Sequence, residues 1–341
     1  AGGATGLFPT VSGDEGNIGT SIMLGYDIGA ALKNLEFVEF TLIYRVKSKI
    51  LRIAGMAPFL SRGGKLINAL GEDLFRLRFP KKKSEQIGRA EILRLVEQET
   101  VHNKAPIYLD CTHFSDMTWQ EFEGSQGSTT LDKIREAGCD YRTEKIEVIP
   151  AAHSVLAGIE IDTYAQTTVP GIFAAGENAT GIHGAGRLSG NGLTACVVMG
   201  RTGGINASEY AKNARRQRRN IIAQQTLSSK QLNKSLNIIE GQSQASKAND
   251  QIGALLERVK NIVGNNLGII RNELSLAEGQ KQLSNFWLEI KDLDERDKDV
   301  FELQQMVRLA TLMIEAASQR TESRGVQFRS DFDKLDNSWA K

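Results

Sequence analysis

Apolar side chains recur three and four positions apart near the end of the chain: Val300, Leu303, Met306, Val307, Ala310, Met313, Ile314 and Ala317. That spacing puts them on one stripe of a helix, so the segment predicts a helix packed against a core. A further helical stretch is expected over 261–291. Ile87, Ile92, Leu95 and Val96 lie near the same period in EQIGRAEILRLVEQET (85–100), which predicts an amphipathic helix. Compact apolar runs elsewhere predict buried strands: EFVEFTLIY (36–44), APIYLDCT (105–112), IEVIPAAHS (146–154), AGIEID (157–162) and TTVPGIFAAGE (167–177). TSIMLGYDIGAALKNL (20–35) fits a helix that packs small residues closely. WQEFEGSQGSTTLDKIREAGCD (119–140) reads as helix, loop and helix, with Gly138 as the C-cap.

These elements divide the chain. Residues 1–45 and 146–212 alternate strand and helix, whereas 46–145 are more mixed and more charged. Proline is absent beyond Pro170, and 213–341 read as a helical domain after a polar connector near 224–250. No internal repeat is visible.

The stretch GIHGAGRLSGNGL (181–193) stands out. It follows a run that ends in a carboxylate, Glu177, and precedes TACVVMGRTGGINASEYA, an apolar helix pattern. Strand, glycine loop and helix is the order used to cradle phosphates, but Gly184, Gly186 and Gly190 give GxGxxxG, not the GxGxxG of a dinucleotide fold's first turn. The loop is therefore not read as a pyrophosphate turn. Its glycines still let backbone approach a flat ligand, and the helix beginning near Leu193 would aim N–H groups at it. A flavin ring suits that arrangement. Arg187 inside the loop is either a ligand clamp or a structural cation.

Composition narrows the classes. The chain has 341 residues, 40% hydrophobic and 24% charged, with net charge +1. That suits a soluble globular protein of about two domains and gives no electrostatic argument for nucleic acid or a membrane surface. Lys81–Lys83 and Arg215–Arg219 read as solvated faces. Cys111, Cys139 and Cys196 form no CxxC, which excludes a zinc ribbon, a ferredoxin-type cluster and a disulfide scaffold, and no metal site is expected. No apolar run is long enough to span a bilayer. A cytoplasmic setting is expected, or a peripheral one at a membrane through a partner complex.

The segment PAAHSVLAGIEIDTYAQTTVPGIFAAGENATGIHGAGRLSGNGLTACVVMGR resembles the flavoprotein subunits of succinate dehydrogenase and fumarate reductase, and L-aspartate oxidase. Their wording runs P-T-A-H-Y-x-x-G-G-I, G-L-Y-A-A-G-E and H-G-A-N-R-L-G-G-N-S-L. NIGTSIMLGYDIGAALKNLEFVEF is similar to their T-G-D-G-x-x-M-A-x-x-A-G-A and E-F-V-Q-F-H-P-T. LSRGGKLINALGEDLF resembles R-G-E-G-G-x-L-x-N-x-x-G, QIGRAEIL their arginine helix, and QRTESRGVQFRSDFDKLDNSWAK the ending of their helical domain. The resemblance implies an α/β plus α fold: an incomplete, Rossmann-like FAD-binding domain (1–45 and 146–212), an inserted α+β capping domain (46–145) and a C-terminal helical bundle (213–341). Residues 1–3 resemble the end of an A-T-G-G strand, and the family's N-terminal GxGxxG segment is not matched. A C-terminal fragment, or one chain of a split flavoprotein, is expected.

The resemblance implies FAD as cofactor and hydride exchange between flavin N5 and a carbon next to a carboxylate. It places the proton-carrying arginine at Arg89 and the carboxylate-holding pair at His153 and Arg187. Flavin-contacting positions fall on Gly2, Gly3, Gly176, Glu177, Asn191, Gly192 and Leu193. From the residues alone, Arg89 reads as a surface ion-pair residue and His153 as a structural histidine. Implied partners are a small carboxylate substrate, the missing FAD-binding segment or a chain carrying it, and an iron–sulfur electron-transfer subunit. His183 is expected to support the loop, His102 and His113 to sit at the surface or in turns, and Asp14 and Glu15 to lie in a solvated turn.

The departures are specific. Thr41 stands where the family has a substrate histidine, Met56–Ala57 where it has Thr-Glu, Arg62 near a motif glutamate, and Gly186 where it has Asn. Losing a buried hydrogen-bond partner costs about 1–3 kcal/mol per group, enough to change substrate choice. An apolar Met56–Ala57 lining would suit a larger substrate or a monocarboxylate. The alternatives are a non-catalytic scaffold subunit, or a relative with a different substrate, of the L-aspartate oxidase or adenylylsulfate reductase kind.

Overall fold

The computed structural model describes residues 2–53, 55–102, 104–125, 128–222 and 248–339. In chain order the first elements are α1 (Thr20–Asp27), β1 (Leu32–Lys33), β2 (Val38–Val46), β3 (Lys49–Leu51), α2 (Ala57–Leu60), β4 (Lys65–Ile67) and α3 (Leu74–Arg78). Then come α4 (Arg89–Val101), β5 (Ile107–Asp110), α5 (Asp116–Glu123), α6 (Ser128–Glu136), β6 (Ile146–Val155), β7 (Gly158–Glu160) and β8 (Ala179–Thr180). Among the described residues four α-helices follow: α7 (Asn191–Ile222), α8 (Ala248–Asn266), α9 (Glu273–Ile290) and α10 (Lys298–Gln319).

Two sheets organise the α/β part. The larger has the order β3-β2-β6-β5-β4, with antiparallel neighbours throughout. The smaller has the order β1-β7-β8, and its β7–β8 pair is parallel. Every β2 residue except Arg45 is buried. A strand so apolar on both sides needs cover on both faces. On one side Tyr44 meets Phe59 of α2 edge-on at 6.0 Å, and Phe59 packs on Phe122 of α5 at 4.5 Å. Elsewhere α4 lies against β2 and β6 through Ile92, Leu93, Leu95 and Val96.

Beyond α7 the fold is helical: α8, α9 and α10 pack on one another and α10 reaches α1. The whole expected stripe from Val300 to Ala317 is buried. A C-terminal segment then folds back. Buried Arg271 donates to Glu36 O at 2.7 Å and to Gln327, and Arg320 pairs with Glu36 and with Glu322. Among the described residues no helix is long and apolar enough to cross a membrane.

Several expectations need correction. The helix expected over 20–35 ends at Asp27, because Gly29 turns the chain with φ +88°. The stretch 261–291 is two helices, and Asn272 caps the second by accepting from Ser275 N at 2.9 Å. TTVPGIFAAGE forms no strand ladder. A turn at Pro170–Gly171, with Gly171 at φ +83°, folds it back and leaves only isolated bridges, Thr167 to Ile161 and Phe173 to Gln166. The segment boundary read at 212–213 falls inside the continuous helix α7. The apolar helix after the glycine loop does form, yet Leu193, Val197 and Val198 on it are exposed. The connector near 224–250 lies outside the described residues apart from its last three, which begin α8.

Candidate active site

The site starts from a fault in the β2–β6 ladder. Glu39 faces Ser154 and Phe40 faces Ala152, so His153 is an extra residue on β6 with no partner on β2. A bulge of this kind bends the strand and re-aims side chains. Here it turns His153 toward the residues around Glu39. Ser12 lies beside it because the N-terminal segment runs along β6: Ala152 N donates to Thr10 O at 2.9 Å and Ser12 N to Ala152 O at 3.0 Å. His153 Nδ1 and Ser12 Oγ are 2.8 Å apart. Burial lowers the pKa of His153, and the nearby charges of Arg187 and Arg89 lower it further against the opposite pull of Glu39.

Two arginines approach from other directions. Arg89 is the first residue of α4, whose start is set by Gly88 N donating back to Glu91 at 2.9 Å. Arg187 hangs from the glycine loop. Arg89 Nη1 donates to Glu39 Oε1 at 3.0 Å and Arg187 Nη2 to Glu39 Oε2 at 2.8 Å. The Glu39 side chain is 4% exposed, that of Arg187 10% and that of Arg89 43%. The carboxylate is thus enclosed, one arginine nearly so, and the other open to a cavity.

That cavity, of about 600 Å³, is lined by Arg89, His153 and Arg187, with Ser189 and Gly190 of the loop. Thr41 also lines it, as do Met56 and Ala57, so two of the four departures face this cavity, while Gly186 lines the neighbouring one. Leu42, Leu60, Ile87, Ile92 and Leu93 give the cavity an apolar side. Arg62 is not part of it: Arg62 Nη1 donates to Pro58 O at 3.0 Å and the guanidinium lies over Phe122. A second cavity of about 350 Å³ touches the same Glu39, Arg89 and Arg187 and extends toward Arg94 and Phe328.

The three candidate catalytic residues are therefore brought together. The candidate flavin positions fall on the N-terminal segment, the AAGE turn and the start of α7. A methyl group on Gly3 would lie 2.5 Å from Glu177 Oε1, so a larger residue there would displace the Glu177 carboxylate. Glu177 Oε1 accepts from Val155 N at 2.9 Å, which ties the AAGE segment to the end of β6. Gly2 packs against Asn17, Gly176 has φ +83° beside Cys196, and Gly192 lies against the Arg187 guanidinium. Asn191 and Leu193 open α7, with Leu193 exposed. The other histidines fall away from the cavity. His183 stays in the loop, with a pKa lowered by burial and Arg187; His113 bonds Gly63 O at 3.0 Å; His102 caps α4. Asp14 accepts from Gly16 N in an exposed turn, and Glu15 pairs with Arg52.

Sequence reasoning missed Glu39, Ser12 and the loop's support. The signal for Glu39 was a carboxylate inside an apolar strand, at the Gln position of E-F-V-Q-F-H-P-T. Nothing local marked the support: Val326 N donates to Ala185 O at 2.8 Å, so the C-terminal segment braces the glycine loop.

Comparison with known proteins places this arrangement. Residues 2–193 match the FAD binding domain family. The chain belongs to that family. Residues 256–341 match the family described as fumarate reductase flavoprotein C-term, which sets the chain in the flavoprotein superfamily of succinate dehydrogenase, fumarate reductase and L-aspartate oxidase. An uncharacterized FAD-dependent oxidoreductase of Methanocaldococcus jannaschii is 28% identical over 99% of this chain and 60% of its own length. One fumarate reductase (CoM/CoB) subunit, from Methanothermobacter marburgensis, is 28% identical over 100% of the chain and 62% of its length. The chain thus spans about three fifths of the curated relatives it matches. In fold it is similar to E. coli quinol fumarate reductase, with TM-score 0.76 at 22% identity, covering 98% of this chain and 60% of that one. It is also similar to adenylylsulfate reductase of Archaeoglobus fulgidus, with TM-score 0.63 at 17% identity, covering 99% and 62%.

FAD is the cofactor of this family, and the glycine loop fits one flank of it. A methyl group on Gly184, Gly186 or Gly190 would meet nothing within 4 Å, so the loop's backbone faces open space at the N-terminus of a 32-residue helix. Close by in the chain, buried Asn178 Oδ1 has no hydrogen-bond partner.

Proposed function

We propose that this chain acts in a FAD-dependent oxidoreductase of the fumarate reductase and succinate dehydrogenase type. FAD, when bound, supplies two-electron hydride exchange with a carbon next to a carboxylate. One observation carries the reading: Arg89, His153 and Arg187, from a helix, a strand bulge and a glycine loop, face one cavity beside the expected flavin flank. Arginine forks and an imidazole are suited to hold a carboxylate. Arg187 and His153 orient the substrate carboxylate. Arg89, the more exposed of the two arginines, moves the proton at the neighbouring carbon. Gly2, Gly3, Gly176, Glu177, Asn191, Gly192 and Leu193 hold the flavin together with a dinucleotide-binding segment, in the same polypeptide or in a partner.

A partner subunit carries electrons to or from the flavin, an iron–sulfur protein by analogy with this family. It would also hold the chain at a membrane surface if the complex sits there. The test is a visible spectrum and an Arg89→Gln variant of the flavin-loaded protein. The variant should keep its yellow colour and lose turnover; unchanged turnover refutes the role of Arg89. Thr41, Met56 and Ala57 in the cavity wall favour a second reading, a non-catalytic subunit that kept the fold. A colourless protein, even with a dinucleotide-binding segment supplied, would support it.

A further inference from the structure

Glu39 is 3% exposed and gives one oxygen to each arginine of the cavity. It engages one N–H of each guanidinium and offsets half of their combined charge. Among the described residues neither Arg89 nor Arg187 makes another side-chain hydrogen bond, and Arg187 Nε is buried without a partner. The remaining N–H groups of the two forks, with His153 and Ser189, still offer donors to a carboxylate, so charge rather than donor number sets the limit. The two guanidiniums and Glu39 leave a single positive charge, the histidine adds none while it is neutral, and Glu85 lines the same cavity as a further carboxylate that a second substrate carboxylate would meet. One side of the wall is apolar, with Leu42, Met56, Ala57, Leu60 and Ile92, while Thr41, Ser61 and Ser84 also line the cavity.

We infer that Glu39 is a specificity-determining residue that restricts this cavity to monocarboxylates bearing an apolar substituent. The substrate class is an unsaturated acid with one carboxylate and an apolar tail, or its saturated counterpart. The second carboxylate of a dicarboxylate would meet Glu39 and the Met56–Ala57 wall, where an ionised group stays unpaired. The inference rests on the oxidoreductase reading for the roles of Arg89 and Arg187. The preference itself is read by binding, without turnover.

The experiment is calorimetric titration of the full chain with acrylate, cinnamate and fumarate. Cinnamate should bind at least about tenfold more tightly than either of the others, a difference of about 1.4 kcal/mol. Glu39→Gln should tighten fumarate by about tenfold and change cinnamate by less than about threefold. Ile92→Ser, at the apolar side, should weaken cinnamate and leave acrylate unchanged, which keeps the test available if Glu39→Gln does not fold. Equal affinity of the wild-type chain for fumarate and cinnamate overturns the inference. So does an unchanged preference in either folded variant, or no binding of any of the three acids. A colourless protein that keeps the cinnamate preference defeats only the oxidoreductase reading. A yellow protein that turns over and prefers fumarate defeats only this one.

Discussion

Arg187→Met tests whether the buried charge bridge is as enclosed as its geometry states. Glu39 and Arg187 are 4% and 10% exposed and 2.8 Å apart. Removing one partner of such a pair leaves a charge in a poorly solvated place and costs about 3–5 kcal/mol. Arg89, at 3.0 Å, still satisfies the other oxygen, so the expected loss falls to about 2–3 kcal/mol. Replacing both partners, as Glu39→Leu with Arg187→Met, removes the stranded charge. Arg89 loses its partner as well, but its side chain is 43% exposed and water can take it up. Glu39→Leu alone strands the enclosed Arg187 and should cost about 2–3 kcal/mol as well, so the double variant, expected within about 1 kcal/mol of wild type, implies a coupling of at least about 3 kcal/mol between the sites. Urea unfolding followed by tryptophan fluorescence reads all three. A cost below about 0.5 kcal/mol for Arg187→Met, or additive losses in the double variant, would mean that water already reaches Glu39 and that the bridge is not an enclosed one.

Two further outcomes follow from the loop and the bulge. Gly325 has φ +56°, and a methyl group there would sit 2.0 Å from Ala185 O, so Gly325→Ala should cost about 1–2 kcal/mol in backbone strain, lower the thermal midpoint, and weaken carboxylate binding by displacing the loop that carries Arg187; a fall in stability with unchanged affinity would show that the C-terminal segment does not brace the site. Because burial holds the His153 pKa below its ordinary 6.5, the unfolded chain takes the proton first, so stability drops as pH falls below about 6.5. His153→Asn should flatten that dependence in thermal melts taken across the range; an unchanged slope would place the effect elsewhere.

The periodic elements were legible because their burial is local. The Val300–Ala317 stripe and the β2 run each carry their own pattern, and each formed as that pattern required. The breaks were less legible. Gly29, the Pro170–Gly171 turn and the Asn272 cap each interrupt an apolar run that otherwise reads as continuous, and a single residue's φ or side-chain bond decides where the interruption falls. The run at 167–177 shows a further limit, since a strand needs a neighbour to pair with and the sequence does not state which one it has.

The site shows the same division at higher stakes. Arg89, His153 and Arg187 could be singled out from motif wording because each sits in its own recognisable phrase. Their meeting depends on a one-residue bulge at His153, which leaves no mark in an alternating strand. Glu39, a carboxylate buried between Val38 and Phe40, is tolerable there because Arg89 from α4 and Arg187 from the glycine loop each donate to it. The same contact that makes Glu39 stable takes up arginine donors that the resemblance assigns to substrate. On the inference drawn above, the residue that joins the two arginines of this site, standing at the Gln position of the family wording, also limits what the site can hold.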